Sequence, residues 1–347
     1  MRLFLGANLK FTVMKKTNQL NPLDIFLKTV QEWKEEKKKW VRLSSYATYA
    51  QLVNRHVVPY FSSRIEKLKV NSSNALLTSV FCEKEIQRFT DHFLKERHLS
   101  LQTTKDILLT LKMILRFGEK KGAWPHIEFT VHYKNENESM RKKIYNPKVL
   151  SMEEEGRLMK YLAGNFSFRN LGLLIALNTG VRIGELCALR WKDVDIAGGV
   201  ICICKAIKRI YYSAPDEYVY VLEEGEPKSQ SSAREIPISQ QLMKILKPLQ
   251  KIMRPEYYIV SNTETPLDPR TYRAHFARTL SKLQIPRIRF HAIRHSFATR
   301  CIESGCDYKT VSSILGHASL ATTMDMYVHP GNEQKRKCIE RMLRNIR

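Results

Sequence analysis

The chain has 347 residues, 43% of them hydrophobic and 10% aromatic. That composition excludes a mainly disordered polymer, and the length suits two domains that each bury a core. Lys and Arg number 58 against 34 Asp and Glu, a formal net charge of +24, so the expected partner is a polyanion, nucleic acid ahead of an anionic membrane.

The opening "MRLFLGANLKFTVMKK" has the outline of a signal peptide, but Asn8 and Lys10 interrupt its apolar run and no small-residue cleavage site follows. Residues 1–20 read as a short N-terminal extension, with Met14 an alternative start to Met1. Seven scattered cysteines form no CxxC pair; they are expected to be reduced cytosolic thiols, with no metal and no cofactor.

The first half reads as helical. Asn21-Pro22 caps and opens a helix in "NPLDIFLKTVQEWKEEKKKW". "SSYATYAQLVNRHVVPYF" (44–61) is expected to start at its serines and stop near Pro59. In "TTKDILLTLKMILRFGEKKG", Ile107, Leu108, Leu111, Ile114 and Leu115 share one face, and Gly122 closes the helix. Residues 21–130 are therefore expected to form a small helical domain. Residues 131–149 lack apolar periodicity and read as a linker.

A second, mixed domain is expected over 150–330. Ser151 and Glu154 mark a capping box. The stretch "LGLLIAL" (171–177) is too short to span a bilayer and ends in Asn178-Thr179-Gly180, so no membrane association is expected. "GGVICICKA" and the stretch from "EYVYVLEEG" to "AREIPIS" alternate like strands of one small antiparallel sheet. The fold class is thus mainly α with a small antiparallel β-sheet. A tail, 331–347, carries Cys338, Ile339, Met342, Leu343 and Ile346 at helical spacing.

Chemistry-bearing groups gather in this second half. Arg182 follows the Thr179-Gly180 turn, where backbone would hold its fork either against two oxygens of a phosphate or against Glu185 one turn on. In "HAIRHSFATR", His291, Arg294 and His295 fall on one face of a helix starting near Phe290. An HxxRH face offers zinc at most two nitrogens beside a repelling Arg, so an anion suits it better. Gly305 ends that helix and Asp307 or its neighbour caps the next. Gly316 then presents His317 at a helix end, "TTMD" is another N-cap, and Tyr327 follows.

Together, "TGVRIGELCALRW", "HAIRHSFATR" and "LGHASLATTMDMY" resemble the tyrosine recombinases, the integrase family of site-specific DNA strand-exchange enzymes. The helical first half is similar to that family's core-binding domain. The resemblance implies that Arg182, His291, Arg294 and His317 are catalytic and that Tyr327 is the nucleophile. It also implies a hairpin lysine, best matched by Lys228 in "EPKSQSSAREIPI", with Lys205 and Lys208 weaker matches. Ala292 stands where the family often has an acidic residue, which should alter packing and not chemistry. His295 and His329 would be structural or DNA-facing.

The chemistry requires such a set. Two arginines clamp the non-bridging phosphate oxygens, His317 adds a hydrogen bond, and His291 is the acceptor for a phenol proton whose unperturbed pKa is ~10. Lys228 would protonate the leaving 5′-oxygen. The 3′-phosphotyrosine conserves bond energy, so neither metal nor ATP is required. The sequence also has no GxxxxGK[ST] loop and no evident carboxylate trio. The expected partners are double-stranded DNA at specific sites, a homotetramer assembled on two sites, and accessory DNA-bending or excision factors. The tail would pack on a neighbouring protomer or on its own domain.

Within that family a bacterial mobile-element integrase is expected ahead of a chromosome-dimer resolvase, cytoplasmic and nucleoid-associated. About twenty residues precede the first helix, so an arm-binding domain is not expected. Two other readings are a type IB topoisomerase-like swivel and a DNA-binding regulator without catalysis. The regulator predicts a broken constellation, yet every expected position is filled.

Overall fold

The computed structural model describes residues 21–67, 73–133, 149–213, 218–226 and 233–317, with 319, 320, 336, 339, 340, 342 and 343. They fall into two compact units divided between Asn135 and Glu136.

In the first unit, α1 (Pro22–Trp40) starts where expected, with the Asn21 side chain accepting from the Leu23 N–H at 3.1 Å. α2 (Leu43–Leu52) leads through a π-helical turn, Val53–Val57, directly into α3 (Val58–Lys67). The helix therefore passes Pro59, against expectation. The widened turn just before it changes the hydrogen-bond pattern where proline removes a donor and crowds the preceding carbonyls. α4 (Ser73–Val80) and α5 (Glu83–Asp91) follow, and a second π turn, His92–Glu96, extends α5. α6 (Leu101–Lys120) buries Ile107, Leu108, Leu111, Ile114 and Leu115, and Gly122 beyond it takes φ +70°. These helices enclose Phe26, Trp33, Phe61, Phe81, Phe89 and Trp124.

In the second unit, the Leu150 N–H donates to the fully buried Ser296 hydroxyl at 2.8 Å. Ser151 and Glu154 form the expected capping box on α7 (Met152–Gly164). α8 (Phe168–Thr179) buries its entire apolar run and serves as the central core helix. Gly172 on it is tightly packed: a Cβ there would come within 2.5 Å of the Tyr272 hydroxyl. The short α9 (Ile183–Ala188) and the fully buried Trp191 follow.

The β structure differs from the single sheet expected. β1 (Val194–Asp195), β2 (Val200–Ile203) and β5 (Arg234–Pro237) form one antiparallel sheet in the order β1-β2-β5. β3 (Ala206–Ser213), which carries Lys208, pairs along its length with β4 (Tyr218–Gly225) as a separate two-stranded ribbon. Both strands of the ribbon carry exposed apolar residues, among them Tyr211, Val219 and Tyr220. Residues so placed lack the one-sided burial that makes strand alternation easy to read.

α10 (Gln240–Gln250), α11 (Pro269–Lys282), α12 (His291–Glu303) and α13 (Tyr308–Leu315) complete the described unit. Among the described residues, no helix is long and apolar enough to cross a membrane.

Candidate active site

Three helix termini converge here. Gly180 ends α8 in the left-handed region, φ +64°. A Cβ on it would meet Phe297 at 2.7 Å and Leu315 at 2.8 Å, so only glycine allows the close approach of α8, α12 and α13. Arg182 follows as the cap residue of α9. α13 closes with Gly316 at φ +65°, its N–H donating to Ser313 O at 3.0 Å while the His317 N–H donates to Ser312 O at 3.1 Å. That double closure fixes the backbone of His317.

The helix end leaves carbonyls to satisfy, and arginines satisfy them. Arg294, only 2% exposed, donates to Gly180 O at 3.1 Å and Leu315 O at 2.7 Å. Arg182 donates to Gly316 O at 3.2 Å, with a long 3.5 Å contact to Leu315 O. It also pairs with Glu185, Nη1 to Oε1 at 2.8 Å, so the carboxylate partner is present. The pairing leaves 37% of the Arg182 side chain exposed, open to a second oxygen-rich partner.

Glu185 is buried at 3% and takes a second arginine, Arg234 of β5, at 3.0 Å. Burial alone would raise its carboxyl. The hydrogen bond and charge of Arg234, then the charge of Arg182, hold it below its ordinary value.

His291 opens α12 at the surface, and its ring meets His295 edge-on at 4.6 Å. The protein atoms crowding that ring, then the charges of Arg294 and Arg182, lower its pKa. His317 is half-buried and held at about 4 by burial, then by Arg294, Arg182, His291 and Arg234. His295 lies at about 4 from burial, then His291 and Arg294; at 4% exposure it is part of the core. All three imidazoles are therefore neutral at pH 7. A neutral His291 is able to accept a proton, and a neutral His317 still donates one N–H. Ala292 is 5% exposed, a position where a carboxylate would need a partner of its own.

Arg182 and His291 line one cleft of about 830 Å³ with Arg273, Arg287 and Arg289. Four arginines and a histidine contribute to its lining beside apolar residues such as Phe276 and Ile288, a concentration of positive charge that suits a polyanion. Arg234, Arg273, Arg287 and Arg289 were not singled out from the sequence. Arg234 carries the clearest signal in hindsight, a charged residue inside the apolar alternation of "REIPI".

Lys228, Tyr327 and His329, with the "TTMD" cap, lie outside the described residues. Lys205 forms an ion pair with Glu224 at 3.0 Å, and Lys208 lies opposite Glu223 in the β3–β4 ribbon. Of the tail, Ile339, Met342 and Leu343 are described and exposed.

The buried arginines, the helix-end histidine and the arginine-lined cleft gather positive charge at one place on a mixed helical and antiparallel-sheet unit. Residues 148–334 match the phage integrase family, and residues 25–74 match the phage integrase N-terminal SAM-like domain. The chain is 30% identical over 183 residues to a XerC-like tyrosine recombinase of Caldanaerobacter subterraneus subsp. tengcongensis; the match covers 48% of this chain and about half, 47%, of that relative. It is 23% identical to the ICEBs1 integrase of Bacillus subtilis, over 82% of this chain and 73% of that one. The fold is shared with the Tn1549 transposon integrase solved with transposon right end DNA, at TM-score 0.60 and 20% identity, covering 93% of this chain and 100% of that chain. The chain belongs to the phage integrase family, the tyrosine-type site-specific DNA recombinases.

Proposed function

We propose that the protein cleaves and rejoins DNA at specific sites through a 3′-phosphotyrosine intermediate on Tyr327 and a Holliday junction, integrating or excising a mobile element. One observation carries this reading. Arg182 and Arg294, from different helices, meet at the carbonyls immediately before His317, and Arg182 lines one basic cleft with His291.

A phosphodiester bound beside that cleft meets Arg182 first, with Arg294 behind it and the imidazole N–H of His317 as a further donor, where charge accumulates at the pentavalent phosphorus. His291 takes the Tyr327 proton, the phenolate oxygen attacks phosphorus, and the 5′-oxygen leaves with a proton from Lys228. The bond to Tyr327 replaces the bond broken, so a 5′-hydroxyl from another strand reverses the step without ATP or metal. Residues 21–130 act as the core-binding domain, 150–330 as the catalytic domain and 131–149 as their linker.

The reading extends to a homotetramer on two DNA sites, with accessory DNA-bending or excision factors, in a bacterial cytoplasm. Exposed Ile339, Met342 and Leu343 support packing of the tail on a second copy. The similarity to integrases of ICEBs1 and of a transposon supports the mobile-element role.

The test uses nicked duplexes tiling the DNA on either side of the chain's own gene. Wild-type protein is expected to form a covalent adduct on a subset, and Tyr327→Phe none. An adduct that survives the substitution removes Tyr327 as nucleophile. Adducts on every duplex, with relaxation of supercoils, favour swivelling over strand exchange, and no adduct at all favours a binding regulator.

A further inference from the structure

Three consecutive carbonyls at the end of α13 each receive a different arginine. Arg234 Nε donates to Ile314 O at 2.6 Å, Arg294 to Leu315 O at 2.7 Å, and Arg182 to Gly316 O at 3.2 Å. The carbonyls of Ser312 and Ser313 are already taken by the N–H groups of His317 and Gly316. The arginines therefore serve the groups that the helix closure leaves over, at the end where the helix dipole favours cations. Arg182 and Arg294 have roles in the cleavage reaction. Arg234 lies on β5, and the cleavage scheme assigns it none.

Its second contact explains what it does. Arg234 Nη1 and Nη2 lie 3.3 and 3.0 Å from the two carboxylate oxygens of Glu185, the buried group that also holds Arg182. One carboxylate between two guanidinium groups leaves a net charge of +1. Without Arg234, the buried Glu185 would claim the whole charge of Arg182, because a buried carboxylate needs a countercharge. The guanidinium would then be neutralised within the protein and not offered to a phosphate.

Resting on the recombinase reading, we infer that Arg234 is a positioning residue: it neutralises Glu185 so that Arg182 remains available to the scissile phosphate, and it anchors the helix end that delivers His317. Its side chain is 6% exposed, so it acts through Arg182 and His317 and not on the DNA itself. Lysine cannot replace it, because one ammonium does not reach a carbonyl and both carboxylate oxygens with a fixed fork.

The experiment compares wild type, Arg234→Gln, Arg234→Lys and the double variant Arg234→Gln/Glu185→Gln on the tiled nicked duplexes, reading DNA affinity and adduct rate separately. Arg234→Gln is expected to lower the adduct rate roughly 10- to 100-fold, the scale of a misplaced catalytic group. Affinity should change little, and Arg234→Lys should fall in the same direction. Removing Glu185 as well should recover part of the lost rate, since the unbalanced buried charge is then gone. A purely structural role predicts instead that the two losses add.

A second reading needs no DNA. Arg234 is one of the charges that depress His317, so the His317 imidazole, followed by NMR in the free full-length chain, should titrate higher in Arg234→Gln. Unchanged adduct rate in Arg234→Gln, additive losses in the double variant, or an unmoved His317 titration overturns the inference alone. A wild-type chain that forms no adduct on any duplex overturns the recombinase reading, and the inference with it.

Discussion

The Nη2 of Arg294 lies 2.7 Å from the carbonyl oxygen of Leu315, the last residue of α13 and two residues before His317. Its other terminal nitrogen reaches Gly180 O at 3.1 Å, so one buried side chain ties the ends of α8 and α13 to α12. Arg294→Lys keeps the charge but cannot serve both carbonyls in this geometry. It should cost about 1–3 kcal/mol, the usual penalty for a buried polar group left unpaired. Chemical denaturation of the purified variant reads the loss, and adduct formation should fall with it.

The histidines make stability depend on pH with a definite sign. His295 and His317 each titrate at about 4 in the folded chain against an ordinary 6.5. Between these values the unfolded chain binds protons that the folded chain refuses, so stability falls as pH drops from about 6.5 toward 4. Denaturation midpoints measured across that interval should decline, and His295→Gln should flatten the slope.

Binding of DNA should reverse part of that depression. A phosphate among Arg182, Arg294 and His317 offsets the positive charges that lower His317 and His291. Binding near pH 5 should then be accompanied by proton uptake, detected as a dependence of calorimetric enthalpy on the buffer's ionisation heat. Affinity should also fall steeply with salt, as expected where phosphate contacts release counterions.

In the first unit, Gly118 on α6 marks a close contact. A Cβ there would fall 2.0 Å from the Trp124 ring, which is held in place by its N–H donating to Leu115 O at 2.9 Å. Gly118→Ala should destabilise by about 1–3 kcal/mol through overpacking, despite the better helix propensity of alanine. Tryptophan fluorescence during denaturation would report it. The same substitution at Gly156, where a Cβ meets nothing within 4 Å, should stabilise α7 by about 1 kcal/mol, the propensity gain alone.

The sequence reading succeeded where signals are local. The Asn21-Pro22 start, the Ser151–Glu154 box and the glycines at 180, 305 and 316 depend on a few neighbouring residues, and each behaves as its local chemistry requires. It failed where a distant or compensating feature decides. Pro59 is accommodated by the π turn before it, and the strands expected in one sheet divide into β1-β2-β5 and a separate β3–β4 ribbon with apolar residues exposed on both strands. Of the two partners the segment allowed Arg182, the structure shows Glu185, and shows also that Arg234 shares that carboxylate.

By itself, then, the sequence determined the helix caps at Asn21, Ser151 and Gly316, the mainly helical class and the set of residues that resemble a recombinase site. Only the tertiary structure decided that Arg182, Arg234 and Arg294 meet at carbonyls 314–316, and that Glu185 carries two of them. The physical reason is that a helix end buried in a core must satisfy its carbonyls and balance its charges with whatever side chains the fold brings there. Those side chains come from positions 182, 234 and 294, too far apart for any local pattern to record their meeting.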